Sequence, residues 1–580
     1  MRSVLLVLVL VASTAGHAAA HADTPTIDIS VEPSGSYSIR LHAPDWTFTG
    51  DVGHPLASIR ASDGQDTVGA FHQVEFDYAS RTSAIRAYPG PGAVLFSTTY
   101  TSEGPNVEPF PVLRSMPDLP YTLSYHDSPF SPYQLNTLNE SADSPWLFFD
   151  ASANGLLISA ASDFALARLS LSADRALTSG IDASVARLPA GYTHRTLLVA
   201  GSGLNRLFDS WGQAMTALHD KTRPPNDADL LLEKFGYWTD NGATYYYHFE
   251  PTLGYAGTLL SVKREFDQRG LPLGYLQLDS WWYPKGPDAR WDDFGGGIFR
   301  YRAAPDLFPD GLPAFQQQLG LPLATHARWI DGSSPYRTEF ASSGNVITDP
   351  RYWNDLMAYL QSAGVVLYEQ DWLGAQAQPI YDLSAPQQFM GNMATAAAQH
   401  GLSLEYCMPL PRHVLQTVEY PNVTNMRVSD DRFDRNRWDT FLYASRLASA
   451  LGVWPWSDVF MSTERDNLLL ADLSAGVVGV GDALGAEDAD NLRHVMRGDA
   501  VLIKPDAPLV PTDESTVAEA AQARAGSVPP SAPMVAWTYS DHGALRGAYV
   551  FAYARGAASQ AATFKPASLG IPNATYVYDY

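Results

Sequence analysis

The apolar positions of this chain follow three successive rhythms. From Asp23 to about Arg223 short apolar and polar positions alternate, as in Ile27-Asp-Ile-Ser-Val31, Tyr37-Ser-Ile-Arg-Leu41 and Gly155-Leu-Leu-Ile-Ser159, with Gly, Pro, Ser and Asp between the runs. Strand side chains alternate between two faces, so many such runs divided by turn residues predict an antiparallel β-sandwich. Arg223-Pro-Pro-Asn-Asp-Ala-Asp229 reads as its exit linker. Beyond it, continuous apolar runs alternate with amphipathic stretches from Leu259 to Arg269, Arg351 to Ser362, Gln387 to His400 and Arg437 to Leu451. Strand then helix, repeated, predicts a parallel α/β domain. Its candidate strands are Lys234 to Trp238, Gly274 to Asp279, Leu321 to His326, Gly364 to Leu373, Leu402 to Cys407, Asn422 to Arg427, Val453 to Trp456 and Gly476 to Val480. Eight strands at this spacing fit a (β/α)₈ TIM barrel. From about Asp499 the alternation returns in Ala500-Val-Leu-Ile-Lys504, Met534-Val-Ala-Trp-Thr538 and Gly547 to Tyr553.

The expected layout is multidomain, α/β plus β: an N-terminal β-sandwich over 23–225, the barrel over 226–500, and a small antiparallel β-domain over 501–580. The last reads as incomplete, because Tyr576-Val-Tyr-Asp-Tyr580 stops inside a strand-like pattern. Residues 1–22 have the charged start, apolar centre and small-residue end of a cleavable secretory signal, with cleavage expected near Ala20 or Ala22. A secreted or periplasmic protein follows. The apolar part is too short to span a bilayer, and no later run is long enough.

A formal charge of −24 disfavours nucleic acid and anionic membranes as partners, whereas a neutral ligand such as an oligosaccharide is not repelled. The single cysteine, Cys407, excludes an internal disulfide and a cysteine zinc site. With no His-x-x-x-His and no Asp-rich loop of calcium spacing, no metal or other cofactor is expected.

Candidate chemistry collects at the C-terminal ends of the predicted strands, the edge where barrels of this type carry their active sites. Glu369, Asp371 and Trp372 close the fourth run, and Arg427-Val-Ser-Asp430-Asp431 follows the sixth. Two carboxylates at facing strand ends are what glycosidic cleavage requires, one to attack or stabilise the anomeric carbon and one to protonate the leaving oxygen. Asp430 and Asp431 have a second reading, as cap and first-turn acid of a helix from Arg435 to Leu451. His326 and Arg328 end the third run and could contact substrate or be structural. Trp238 and Asp240 after the first run, and Trp456 and Asp458 after the seventh, stand where a sugar platform and a hydroxyl acceptor are useful. Packing for the Trp and loop capping for the Asp remain open for them.

Lys234-Phe-Gly-Tyr-Trp, Leu276-Gln-Leu-Asp-Ser-Trp-Trp282, the Asp371 strand, Arg427-x-x-x-Asp431 and the late run from Asp466 to Asp482 together resemble successive barrel motifs of the melibiase-type α-galactosidases, glycoside hydrolase clan D, families 27 and 36. The resemblance covers roughly 230 to 510, and a sandwich ahead of the barrel is similar to family 36 and to the related α-glucosidases of family 31. It implies that Asp371 is the nucleophile, that Asp431, four residues after Arg427, is the acid/base with Asp430 beside it, and that Asp279 holds sugar hydroxyls. In the family's Asp-Asp-x-Trp motif the second aspartate is here Ser280, and Trp281 after it is expected to contact the substrate. Cys407 falls in the loop that reads the sugar 2-position, and Glu369 stands where the α-galactosidases carry a lysine. These departures imply a divergent member with altered sugar specificity.

The function expected is a retaining hydrolase of α-linked glycosides working by double displacement on two aspartates. An inactive carbohydrate-binding barrel, a family 31 type hydrolase or transglycosidase, and a barrel enzyme of different chemistry are the alternatives.

Overall fold

The computed structural model describes residues 6–13, 26–106, 108–138, 141–526, 531–543, 545–555, 559–569, 571 and 576–579. The alternating N-terminal runs form two antiparallel sheets. One has seven strands, from Ile27–Val31 to Leu177–Ile181, and the other nine, from Ser58–Gln65 to Thr193–Ser202. Ile39, Phe48, Leu113 and Leu177 of the first pack on Phe76, Phe96, Trp146 and Leu198 of the second, which makes the pair a sandwich. Strand periodicity gives the nine-stranded sheet a second buried face. Leu156 and Ile158 point into the sandwich, while Leu157 between them joins the core that runs on through the helix Leu204–Leu218.

All eight apolar runs of the central region lie in one parallel sheet. In chain order its strands are Gly236–Tyr237, Tyr275–Leu278, Leu323–Ala327, Val365–Gln370, Ser403–Tyr406, Val423–Arg427, Trp454–Trp456 and Gly479–Val480. Each pairs with its sequence neighbour, and the eighth pairs with the first. Isolated parallel bridges, Trp456↔Val477 and Phe460↔Val480, bring the seventh and eighth together. Trp238, Tyr275, Ala324, Leu367, Trp456 and Val477, drawn from six of these strand segments, form one buried cluster. The helices Gly254–Gln268, Pro350–Ser362, Ala385–Gln399 and Trp438–Ala450 lie close to their expected spans.

The C-terminal sheet runs Val510–Pro511, Met534–Asp541, Leu545–Tyr553, Leu6–Ser13, Tyr576–Asp579. The apolar run expected as the centre of a leader is thus a strand antiparallel to both of its neighbours; the expected cleavage points lie outside the described residues. Ala500 to Lys504 is not a strand and makes only bridges such as Lys234↔Val501. The helix Asp513–Arg524 was not foreseen, although Thr512 caps it by accepting from Ser515 N and Asp513 and Glu514 fill its first turn. No helix among the described residues is long and apolar enough to cross a membrane.

The three regions meet at Glu519 on that helix. Its buried carboxylate accepts from Tyr133 of the sandwich, from the Tyr443 hydroxyl at 2.8 Å and from Arg555 at 2.8 Å, and Arg555 also reaches Asp439 at 3.0 Å.

Candidate active site

The fourth strand opens after Gly364 (φ +68°) and is buried along nearly its whole length before Asp371 leaves it. A left-handed residue follows at once, Trp372 at φ +64°. The same device recurs around the mouth at Met408 (φ +51°) after Cys407, Arg432 (+58°) after Asp431, and Asp458 (+85°). Non-glycine residues held in this region cost on the order of 1–3 kcal/mol each and cluster where function fixes geometry.

Asp371 is tied on both oxygens. Oδ2 accepts from His326 Nε2 at 2.9 Å, and Oδ1 accepts from Trp372 N at 2.6 Å. Burial opposes its charge, but the His326 hydrogen bond and charge, with Arg427 and the Cys407 thiol, outweigh it and hold the carboxyl below its ordinary value. Asp371 is therefore an ionised acid in a nearly dry wall.

Asp431 differs in exposure and in partners. Its side chain is 44% exposed, and its carboxylate accepts from Arg427 and from Asn241 Nδ2 at 2.7 Å. Asp430 faces the other way, to Arg437 at 3.1 Å, while accepting from Asp431 N. Neither acid caps a helix. That place belongs to Asp434, which accepts from Asn436 N ahead of the helix Trp438–Ala450.

Arg427 is the cation at the centre. Besides Asp431 it meets Asp458 at 3.1 Å, Asp240 at 3.7 Å and the Cys407 sulfur at 3.4 Å, with its guanidinium over the Phe130 ring at 4.7 Å. Phe130 comes from the sandwich, whose neighbouring Ser131 donates to Pro409 O at 3.0 Å. Asp458 is fully buried, and burial outweighs Arg427 in pushing its pKa up to about 8.

Behind these lies a layer of buried acids. Glu369 and Glu405 are register partners on the fourth and fifth strands, and His326 pairs with Glu369 from the third. Gln277 Nε2 donates to Glu369 Oε2 at 3.1 Å and to Asp279 Oδ2 at 3.3 Å. Among the described residues Asp240, Asp279 and Glu369 each offer an oxygen within 4.8 Å of the other two, the spacing a cation could occupy. Burial pushes Asp240, Glu369 and Glu405 well above the carboxylate range; next in order, Asp458 adds to the rise at Asp240 and Glu405 adds to it at Glu369, while Arg427 offsets part of it at Glu405.

The tryptophans need correction. Trp238 has no exposed surface and stacks on Trp456 at 3.9 Å, and Trp281 is equally buried against Tyr255 at 3.7 Å. Both pack the interior and offer no face to a sugar. Accessible aromatic surface is offered by Trp372 and Trp329, 4.7 Å apart, and by Phe294, which is 58% exposed and has the partly buried Tyr246 and Tyr247 beside it; Arg328 lies 5.6–5.8 Å from the rings of Trp372, Trp329 and Phe294. Arg328 is itself anchored on Phe294 O at 2.6 Å, Gly296 O at 3.2 Å and Ser280 Oγ at 3.2 Å.

Four residues were missed. Glu405 carried a signal, an acid inside an apolar run one strand along from Glu369. Asn241, Gln277 and Phe130 carried none, since their roles depend on contacts across the sheet and between regions.

No family model matches the chain, and no curated protein does. Solved structures do. A β-arabinopyranosidase is similar with a TM-score of 0.56 and 12% identity, covering 92% of this chain and 90% of its own. The galactosidase domain of an α-galactosidase–sucrose kinase gives 0.54 at 9% identity, covering 93% of each chain. An α-galactosidase from Lactobacillus brevis gives 0.52 at 12%, covering 97% of this chain and 80% of that one. This chain shares the fold of these glycosidases.

Proposed function

We propose that the protein is a glycoside hydrolase, a divergent member of the melibiase-type clan D, that cleaves α-linked glycosides with retention. Under this reading the parallel sheet closes as a (β/α)₈ barrel over 226–500, between a sandwich at 23–225 and a β-domain at 501–580. Residues 1–22 direct export under this reading, and their cleavage removes the Leu6–Ser13 strand from the C-terminal sheet. The observation that carries the reading is the presence of two unlike acids at the same edge of the sheet, after its fourth and sixth strands: Asp371, dry and held ionised with the help of His326, and Asp431, half-open and oriented by Arg427 and Asn241.

Asp371 attacks the anomeric carbon while Asp431 protonates the departing oxygen. Asp431 then takes a proton from water as water attacks the glycosyl–Asp371 ester, so both groups return to their starting states. Ser280, Cys407 and Glu369 replace three sugar-reading positions of the α-galactosidases, so simple α-galactosides are expected to be poor substrates.

The test is a panel of nitrophenyl α- and β-glycosides with the parent and Asp371→Asn. Turnover that falls by at least about 10³-fold in the variant supports the assignment. Covalent labelling of Asp371 by a slow fluoroglycoside, located by mass spectrometry, identifies the nucleophile directly. Sugar binding without turnover would instead favour an inactive binding barrel.

A further inference from the structure

The buried acids exceed what cleavage requires. Asp371 and Asp431 carry the proposed chemistry, yet Asp240, Asp279, Glu369, Glu405 and Asp458 are also buried at the same strand ends. Arg427 is the one guanidinium shared among Asp431, Asp458 and Asp240, and His326 is committed to Asp371, lying 3.9 Å from Asp279. Lys285 offers nothing further, because its ammonium donates to the carbonyls of Ser280, Tyr283 and Trp291. Glu369 Oε1 is buried without a hydrogen-bond partner, and Asp240 Oδ2, also without one, has only the Arg427 guanidinium at 3.7 Å. Leaving a buried acceptor unpaired costs about 1–3 kcal/mol, so a cluster with such oxygens is arranged for something that donates.

What donates is constrained by Gln277. Its Oε1 accepts from Thr239 N at 3.1 Å, which fixes the amide and turns Nε2 toward Asp279 and Glu369. Calcium or magnesium asks for six to eight oxygen ligands around one point, and here an N–H already occupies one lone pair on two of the three carboxylates. An ammonium needs only three acceptors and brings the positive charge the cluster lacks. A sugar hydroxyl could satisfy the lone pairs but would give the acids that burial holds protonated no reason to ionise.

Resting on the hydrolase reading above, we propose that Asp240, Asp279 and Glu369 recognise a substrate ammonium, so that the sugar entering this site carries a free amino group. Asp240 and Glu369, which burial holds protonated, ionise around the incoming cation, so binding releases protons.

The experiment compares the full chain on nitrophenyl galactosaminide and glucosaminide with the matching galactoside, glucoside and N-acetyl derivatives, anomer for anomer. Binding of free galactosamine, glucosamine, galactose and glucose is followed in parallel by calorimetry in two buffers of different ionisation enthalpy. A kcat/KM preference of at least about tenfold for the amine, with Glu369→Gln removing that preference while hydroxyl substrates change less, is the expected result. Equal or better turnover of the hydroxyl or N-acetyl sugars overturns this proposal and leaves the hydrolase standing. Absence of all turnover with amine-selective, proton-releasing binding retires the hydrolase and keeps the recognition site. Thermal stabilisation by calcium, magnesium or manganese chloride alone, lost in Glu369→Gln, assigns the cluster to a metal and overturns the proposal. The parent binding comparison needs no variant, so misfolding of Glu369→Gln does not shield it.

Discussion

His326 Nε2 lies 2.9 Å from Asp371 Oδ2, a hydrogen bond between the third and fourth strand ends that helps keep Asp371 ionised against burial. The lowered pKa fixes the sign of the effect. Removing His326 raises the Asp371 pKa, so the acid limb of kcat/KM moves to higher pH. For His326→Ala a loss of about 10- to 100-fold near neutrality is expected, the equivalent of one charge-assisted bond of about 1.5–3 kcal/mol. A pH–rate profile whose acid limb stays in place would show that His326 does not tune the nucleophile.

Asp431 is expected to act on the leaving group. In Asp431→Ala, substrates with poor leaving groups lose about 10²- to 10⁴-fold, whereas dinitrophenyl glycosides, which depart without a proton, lose far less. Equal losses across the series would remove Asp431 from the acid role.

Arg427 compensates more than one buried acid, so its loss is not simply the loss of one ion pair. Arg427→Met is expected to destabilise the fold by about 3–5 kcal/mol, because Asp458 and Asp240 are left without their cation. Adding Asp458→Asn should return part of that loss. A denaturant-melt cycle in which the two substitutions simply add would contradict the coupling.

Glu405 gives a stability test. Both of its oxygens are buried without partners, and burial raises its pKa well above the ordinary carboxylate value. Below that ordinary value folded and unfolded chains are both protonated; above it the unfolded chain ionises first, so stability falls as pH rises toward the folded pKa. Asp458, pushed up to about 8, acts in the same direction, and Asp371, held low, acts in the opposite one. Glu405→Gln is therefore expected to raise the melting midpoint more at pH 8 than at pH 5, by about 1–2 °C per kcal/mol recovered in a chain of this size. An unchanged pH slope in the variant would place the effect elsewhere.

The parallel sheet was legible because a strand buried on both faces writes itself as a continuous apolar run, and a strand end announces itself when that run stops at a charge. Asp371, Asp431 and Arg427 stood at such stops. The tryptophans misled because the same residue type serves a sugar and a core, and only the stack of Trp238 on Trp456 distinguishes the two uses. Phe130 was invisible for another reason: it lies some three hundred positions from Arg427 along the chain, and nothing local marks a ring that will cover a distant guanidinium. The helix Asp513–Arg524 was overlooked although Thr512-Asp-Glu-Ser has the form of a helix start, because the surrounding alternation favoured strands.

Glu519 gathers hydroxyls from Tyr133 and Tyr443 and the guanidinium of Arg555 on one carboxylate, and through Arg555 reaches Asp439. Asp439 and Tyr443 belong to the helix that follows the Asp431 loop. Trimming the chain at 500 to obtain a minimal catalyst would therefore cut away the support of the helix next to the acid, and grafting this barrel onto another scaffold would have to carry the Asp513–Arg524 helix with it.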